Sequence, residues 1–275
     1  MKHPDQGKLT ATGGVSTVEG AGGGGLTPWA LISGYGSRDS FGGNAFATQA
    51  RSDDYSLGVV GAAFGWRDRV ELSYARQDFR GIAGGLNRTR IEQDVFGVKL
   101  RLAGDAVYDQ DSWMPQVALG VQHKRNRGIR GLEALGVARA TDLGARRNAG
   151  TDVYLAATKL YLAQSLLANA TVRFTEANQF GLLGFGGDRR DAREARLEAS
   201  LAYLVTPKLV IGAEYRMKPR NLAVDDEASA ADIFIAWFPS KNVSVTLAWV
   251  DLGTIVKPFN PDRQRAAYVS LQAGF

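Results

Sequence analysis

The chain has no cysteine among its 275 residues. That excludes a disulfide framework and thiolate chemistry, and it favours an exported protein that avoids unplanned disulfides. Long apolar runs are also missing. The longest, around Ile233 to Phe238, falls far short of the ~20 residues of a membrane-crossing helix. Histidine is scarce: His3 lies at the extreme N-terminus, and His123 has no evident serine and acid partners. No Gly-x-Ser-x-Gly, His-Glu-x-x-His or phosphate-loop pattern is present, so no catalytic, cofactor or metal site is expected. Met1 is followed at once by Lys2, His3, Pro4 and Asp5, with no export signal. For a barrel the expectation is that the signal was removed on export and that Met1 is not native to the exported start. Residues 1–8 are read as a disordered or added N-terminus.

What is abundant is alternation. Val243 to Trp249, Arg193 to Val205, Leu209 to Lys218, Arg69 to Gln77 and Ala267 to Phe275 place apolar and polar residues on opposite faces at a period of two. The composition is 45% hydrophobic and 22% charged, which excludes disorder. The 33 glycines suit tight turns and close strands. The net charge of +5 lacks the helical basic stripe of a nucleic-acid domain. The expected fold is all-β: one domain over 1–275, a transmembrane antiparallel up-and-down barrel. Fourteen strands are favoured, at 9–19, 28–36, 43–50, 55–65, 69–79, 92–103, 113–124, 151–162, 165–176, 193–205, 208–218, 230–238, 243–252 and 266–275. Twelve is the alternative, with an N-terminal plug or tail.

The connections alternate between short and long, as periplasmic turns and outer loops do in such barrels. Gly104 to Ser112 is long for an inner turn, and Arg51 to Asp54 short for an outer one. The topology predicts an inner aromatic girdle of Trp66, Trp113, Tyr203, Trp237, Phe238 and Phe275. The outer girdle is Phe79, Tyr154, Phe174, Tyr215 and Trp249, with Phe79 of the wrong parity unless the alternation slips. Both termini are expected in the periplasm.

If the apolar face meets lipid, the other face lines the lumen. Candidate lumen residues are Glu71, Lys99, Arg101, Arg173, Glu194, Arg196, Glu198, Glu214, Arg216 and Lys218. Their mixed signs support two readings: a charged constriction that selects solutes, or a salt-bridged filling that closes the barrel. The segment Lys124 to Arg147, with Arg125, Arg127, Arg130, Arg146 and Arg147, is read as an outer basic loop meeting lipopolysaccharide phosphates or an anionic ligand. Asp105, Asp109 and Asp111 read as a solvated turn rather than a calcium loop. Gly20 to Gly25 reads as a tight turn or an inward, plug-like excursion.

Several blocks resemble an uncharacterised proteobacterial family, a domain of unknown function read as outer-membrane barrels. They are 13–36, 104–122, 157–173, 177–190 and the ending YVSLQAGF (268–275). The resemblance implies membership and a barrel, and brings no chemistry. The chain's end separately resembles the C-terminal signature of outer-membrane proteins, which implies that Phe275 is a terminal aromatic read by the barrel-assembly machinery. The block QFGLLGFGGDRR is too apolar for an ordinary outer loop. It is expected to narrow the mouth through Phe180, Leu182, Leu183 and Phe185, anchored by Asp188, Arg189 and Arg190 to lumen charges. The leading function is an outer-membrane channel or uptake pore for small polar or charged solutes. The alternative is a closed structural or surface-binding barrel. An acyl hydrolase or transferase using His123 comes third.

Overall fold

The computed structural model describes residues 7–225, 227–255 and 262–275. Among them, twelve antiparallel strands close into a barrel. They are β3 (Phe41–Arg51), β4 (Tyr55–Trp66), β5 (Val70–Gly81), β6 (Arg90–Ala103), β7 (Gln116–Arg130), β8 (Ala149–Tyr161), β9 (Leu166–Thr175), β10 (Glu194–Thr206), β11 (Leu209–Arg216), β12 (Ala230–Ser240), β13 (Val243–Thr254) and β14 (Arg263–Gly274). Each pairs with its sequence neighbour. β14 closes on β3, with Leu271 opposite Ala47 and Ala273 opposite Ala45. Closure satisfies every edge, which a lipid-facing sheet requires.

The expectation of fourteen strands is corrected to twelve. The spans expected at 9–19 and 28–36 lie inside the barrel, where only the short strands β1 (Val15–Ser16) and β2 (Gly22–Gly23) pair with each other. Alternation is weak in these spans, and both flank the run Gly20 to Gly25. That run turns the chain back on itself, with Gly20 at φ +91 and Gly25 at φ +136. The remaining spans each fall on a barrel strand. Residues 1–6 of the expected disordered start lie outside the described residues. Lys8 is seated, paired with Asp68 at 2.8 Å and donating to the Ile32 carbonyl.

Parity decides the two faces. Leu197, Leu201, Ile233, Ile235, Leu247 and Leu271 are exposed on the outer wall, while Glu198, Ser200, Asp232 and Ser270 are buried within. Trp66, Trp113, Tyr203, Trp237 and Phe275 are exposed at the rim with the short turns. Phe174, Tyr215 and Trp249 are exposed towards the other rim. Three girdle assignments are corrected. Phe79, Tyr154 and Phe238 point inward and are buried. Tyr154 shares the parity of buried Asp152, and its ring fills the space left by Gly120, where a Cβ would lie 2.0 Å from the tyrosine Cζ.

Candidate functional site

Residues 12–36 enter from the short-turn rim, climb to a tip near Glu19, double back and leave into β3. Almost all of this plug is buried. Its exit is tied to the chain's end: the Phe275 carbonyl accepts the Tyr35 and Gly43 N–H groups at 2.9 and 3.0 Å. Glu19 is the one charged residue between Lys8 and Arg38, and the barrel answers it with three cations. Arg216 donates to its carboxylate at 2.9 and 3.0 Å, Lys124 bonds it, and Arg173 lies at 3.5 Å. Those cations are in turn held by Asp152, 2.7 Å from Lys124, and by Glu198, which bonds Arg173 and lies 3.2 Å from Arg216. All these side chains are essentially fully buried. A buried charge needs both an opposite charge and hydrogen bonds, and this cluster supplies both. Arg173 also stacks on the Tyr154 ring, 5.0 Å from its centroid.

Two further contacts grip the plug backbone. The Glu71 carboxylate accepts the Gly22 and Ser33 N–H groups at 3.1 and 2.9 Å. Its partner Lys99 donates to the Gly22 and Leu31 carbonyls. Glu214 accepts Leu26 N–H at 2.7 Å and the Thr27 hydroxyl, beside Ser200, which receives the Trp29 indole N–H at 2.9 Å. Plug backbone that the barrel ladder cannot satisfy is thus satisfied by lumen side chains.

The candidate lumen residues therefore divide. Arg173, Glu198 and Arg216 meet around Glu19 in mid-barrel, while the Glu71–Lys99 pair and Glu214 hold the plug backbone separately. Arg101 lies at the short-turn rim, bonded to Asp68, Asp105 and the Gly104 carbonyl. Glu194 and Arg196 pair with each other at the long-loop rim. Lys218 lies just beyond β11, donating to Gln179 Oε1 at 2.8 Å and the Leu252 carbonyl. These last four are outside the mid-barrel cluster because parity gives direction but not height.

The loop after β9 folds into the mouth, with Phe180, Leu182, Leu183 and Phe185 buried. Its expected anchors, Asp188, Arg189 and Arg190, are exposed, and of them Arg190 reaches a candidate lumen charge. Asp188 accepts Ala223 N–H, and Arg190 pairs with Glu194 at the rim. The holding groups are amides. Gln179 bonds Asp225 and Lys218, its N–H donates to Glu227, and Asn178 donates to the Gly186 carbonyl. Gln179 and Phe180 both adopt positive φ, at 44° and 62°, a strained state for side-chain-bearing residues that only surrounding contacts maintain. Burial pushes the Glu227 carboxyl well above its usual range, with Lys218 opposing.

The expected basic loop is also redrawn. β7 continues to Arg130, so Lys124 is a buried lumen residue, while Arg125, Arg127 and Arg130 are exposed on the outer wall. Arg127 bonds Asp94 and Arg130 bonds Glu92. Arg146 is exposed, and Arg147 pairs with Glu176 at 2.9 Å and with Asp191. His123 faces outward, its Nδ1 3.0 Å from the Thr151 hydroxyl. At the short-turn rim, burial opposes ionisation of Asp105. The Tyr108 and Val107 N–H groups and Arg101 outweigh it and hold the carboxyl below its usual range.

Glu19 and Asp152 were not among the expected site residues, and Lys124 was expected in the outer basic loop rather than in the lumen. Lys124 shares the parity of Gln122, and Glu19 stands alone in an uncharged stretch; both signals are visible in the sequence.

A family described as "Protein of unknown function (DUF3034)" matches residues 12–272. The chain belongs to that family. The match begins within the plug, so the family covers plug and barrel together. No curated protein matches by sequence. Among solved structures, the NanC porin superposes with a TM-score of 0.55 at 8% identity, covering 84% of this chain and 98% of that one. The KdgM porin, in complex with disordered oligogalacturonate, gives 0.52 at 10% identity, covering 84% and 99%. The fold is thus that of outer-membrane porin barrels. Escherichia coli outer membrane phospholipase A gives 0.45 at 10% identity, covering 85% and 92%, a likeness too loose to bear on chemistry.

Proposed function

We propose that this protein is an outer-membrane channel for small solutes, closed at rest by its N-terminal plug. The observation that carries this is the single plug carboxylate, Glu19, held among Lys124, Arg173 and Arg216 in mid-barrel. The long-loop rim faces outward and both termini face the periplasm. The exposed arginines Arg125, Arg127, Arg130 and Arg146 then meet lipid and lipopolysaccharide phosphates. Phe275 serves the barrel-assembly machinery. The lumen charges act as a latch, and become a selective constriction once the plug leaves.

A closed structural barrel is the second reading, favoured by how completely the mid-barrel charges are paired. Planar-bilayer recording separates the two. The channel reading expects brief conductance steps from the whole chain and steady, larger steps after deletion of residues 12–36. Steps from the deletion variant alone, with a silent whole chain, would support the structural reading instead.

A further inference from the structure

Above the plug tip the lumen changes character. Phe180 lies between the tip and a cavity of about 70 Å³ beneath the long loops. The cavity wall includes Phe79, Ile91, Ile129, Leu132, Leu182 and Ile255. Interiors of folded proteins are packed to crystal-like density, and a void forfeits dispersion contacts on every lining atom. An apolar void of this kind stays dry and admits apolar guests; one of ~150 Å³ takes benzene. Here the space is roughly half that, so the guest is a small one, or a single ring that shifts the loops slightly.

A few polar residues interrupt the apolar lining, among them Ser52, Ser56, Thr89 and Gln179. Thr89 is buried on this wall, and among the described residues its hydroxyl has no hydrogen-bond partner. An unmade bond at a buried hydroxyl is costly, and a guest oxygen would complete it. Two other polar lining groups are engaged: Gln179 with Asp225 and Lys218, and Ser52 with the Tyr55 carbonyl and Gln264.

From these we infer that the mouth cavity binds a small neutral molecule with an apolar body and one hydroxyl or carbonyl oxygen, the oxygen bonding Thr89. As a substrate class for transport this rests on the channel reading; as a binding site it does not. The mid-barrel charges, engaged with the plug, leave this cavity as the first chemistry such a molecule meets from the long-loop side.

The test uses the whole chain in lipid nanodiscs, read by fluorine NMR against empty nanodiscs. The probes are 2,2,2-trifluoroethanol and 1,1,1-trifluoroethane, both smaller than a benzene ring. The expected result is saturable binding of trifluoroethanol, about tenfold tighter than trifluoroethane. Thr89→Val, nearly isosteric, brings trifluoroethanol down to the level of trifluoroethane and leaves trifluoroethane unchanged. Ala266→Phe, which fills the cavity from β14, abolishes both. No saturable binding, equal binding of the two probes, or binding indifferent to both substitutions overturns the assignment. A plug deletion that conducts without probe binding removes this inference alone. Probe binding in a barrel that never conducts removes only the channel reading.

Discussion

From β5 round to β11 the inward rows carry Glu71, Lys99, Lys124, Asp152, Arg173, Glu198, Glu214 and Arg216. From β12 round to β4 they carry Asp232, Ser244, Thr246, Ser270, Asn44 and Thr48, with Gln272 half-buried, mostly short neutral groups. The first wall reaches the plug with long charged side chains and grips both its carboxylate and its backbone. On the second wall the plug contacts are mainly neutral: the Ser16 N–H and hydroxyl against Gln272 and Asn44 at 2.8 to 3.1 Å, the Tyr35 N–H to the Phe275 carbonyl, and apolar packing of Val18 and Leu26 with Phe46 and Tyr268. The difference matters because the two kinds of contact fail differently. Removing one partner of a buried ion cluster strands the others, whereas removing a neutral hydrogen bond loses far less. A plug held this way would swing free from the neutral wall before it leaves the charged one.

The largest expected effect comes from Glu19→Ala, which leaves Lys124, Arg173 and Arg216 facing one another. The plug should lose about 3–5 kcal/mol of docking stability, seen as rapid modification of a reporter cysteine introduced at Val15. Slow labelling equal to that of the parent would erase the distinction between the walls. Next is Gly120→Val, whose side chain takes the space of the Tyr154 ring and moves it off Arg173. A loss of about 1–3 kcal/mol is expected in urea unfolding; an unchanged midpoint would show that the stack contributes nothing. Ser16→Ala, on the neutral wall, should cost about 1 kcal/mol or less by the same reporter. A loss as large as that of Glu19→Ala would contradict the comparison.

The smallest effect is a pH dependence at the short-turn rim. The Asp105 carboxyl is held below its usual range, so its contribution is complete above the unfolded value of about 3.9 and is lost as pH falls through the lower folded value. Asp105→Asn should flatten that acid limb of an unfolding titration, and an identical limb would remove Asp105 from the account.

The outer wall was legible in the sequence because lipid enforces a period of two, and Leu197, Ile233 and Leu247 show it directly. The plug was harder to read. Residues 9–19 and 28–36 are apolar and small like strands, and only the intervening glycines and the solitary Glu19 mark them as an inward excursion. Tyr154 and Phe238 misled for another reason. Aromatics near strand ends suggest a girdle, yet the partner that takes Tyr154 inward, Gly120, lies on a neighbouring strand and leaves no local trace. The mouth loop was recognisable from its apolar content, but Gln179 and Asn178, which hold it, look like ordinary loop amides. The cavity beside Thr89 is assembled from strands and loops distant in the chain, and no local pattern announces it.

The latch itself can be tested directly, because the chain has no native cysteine to interfere. The Thr27 and Ser200 hydroxyl oxygens lie 2.5 Å apart across the plug and β10. The double variant Thr27→Cys with Ser200→Cys, once oxidised, fixes the plug to the charged wall. Single-channel recording of that variant should show no openings when oxidised and brief openings on adding reductant. Equal openings in both states would mean that solute passes with the plug in place, and would contradict the account.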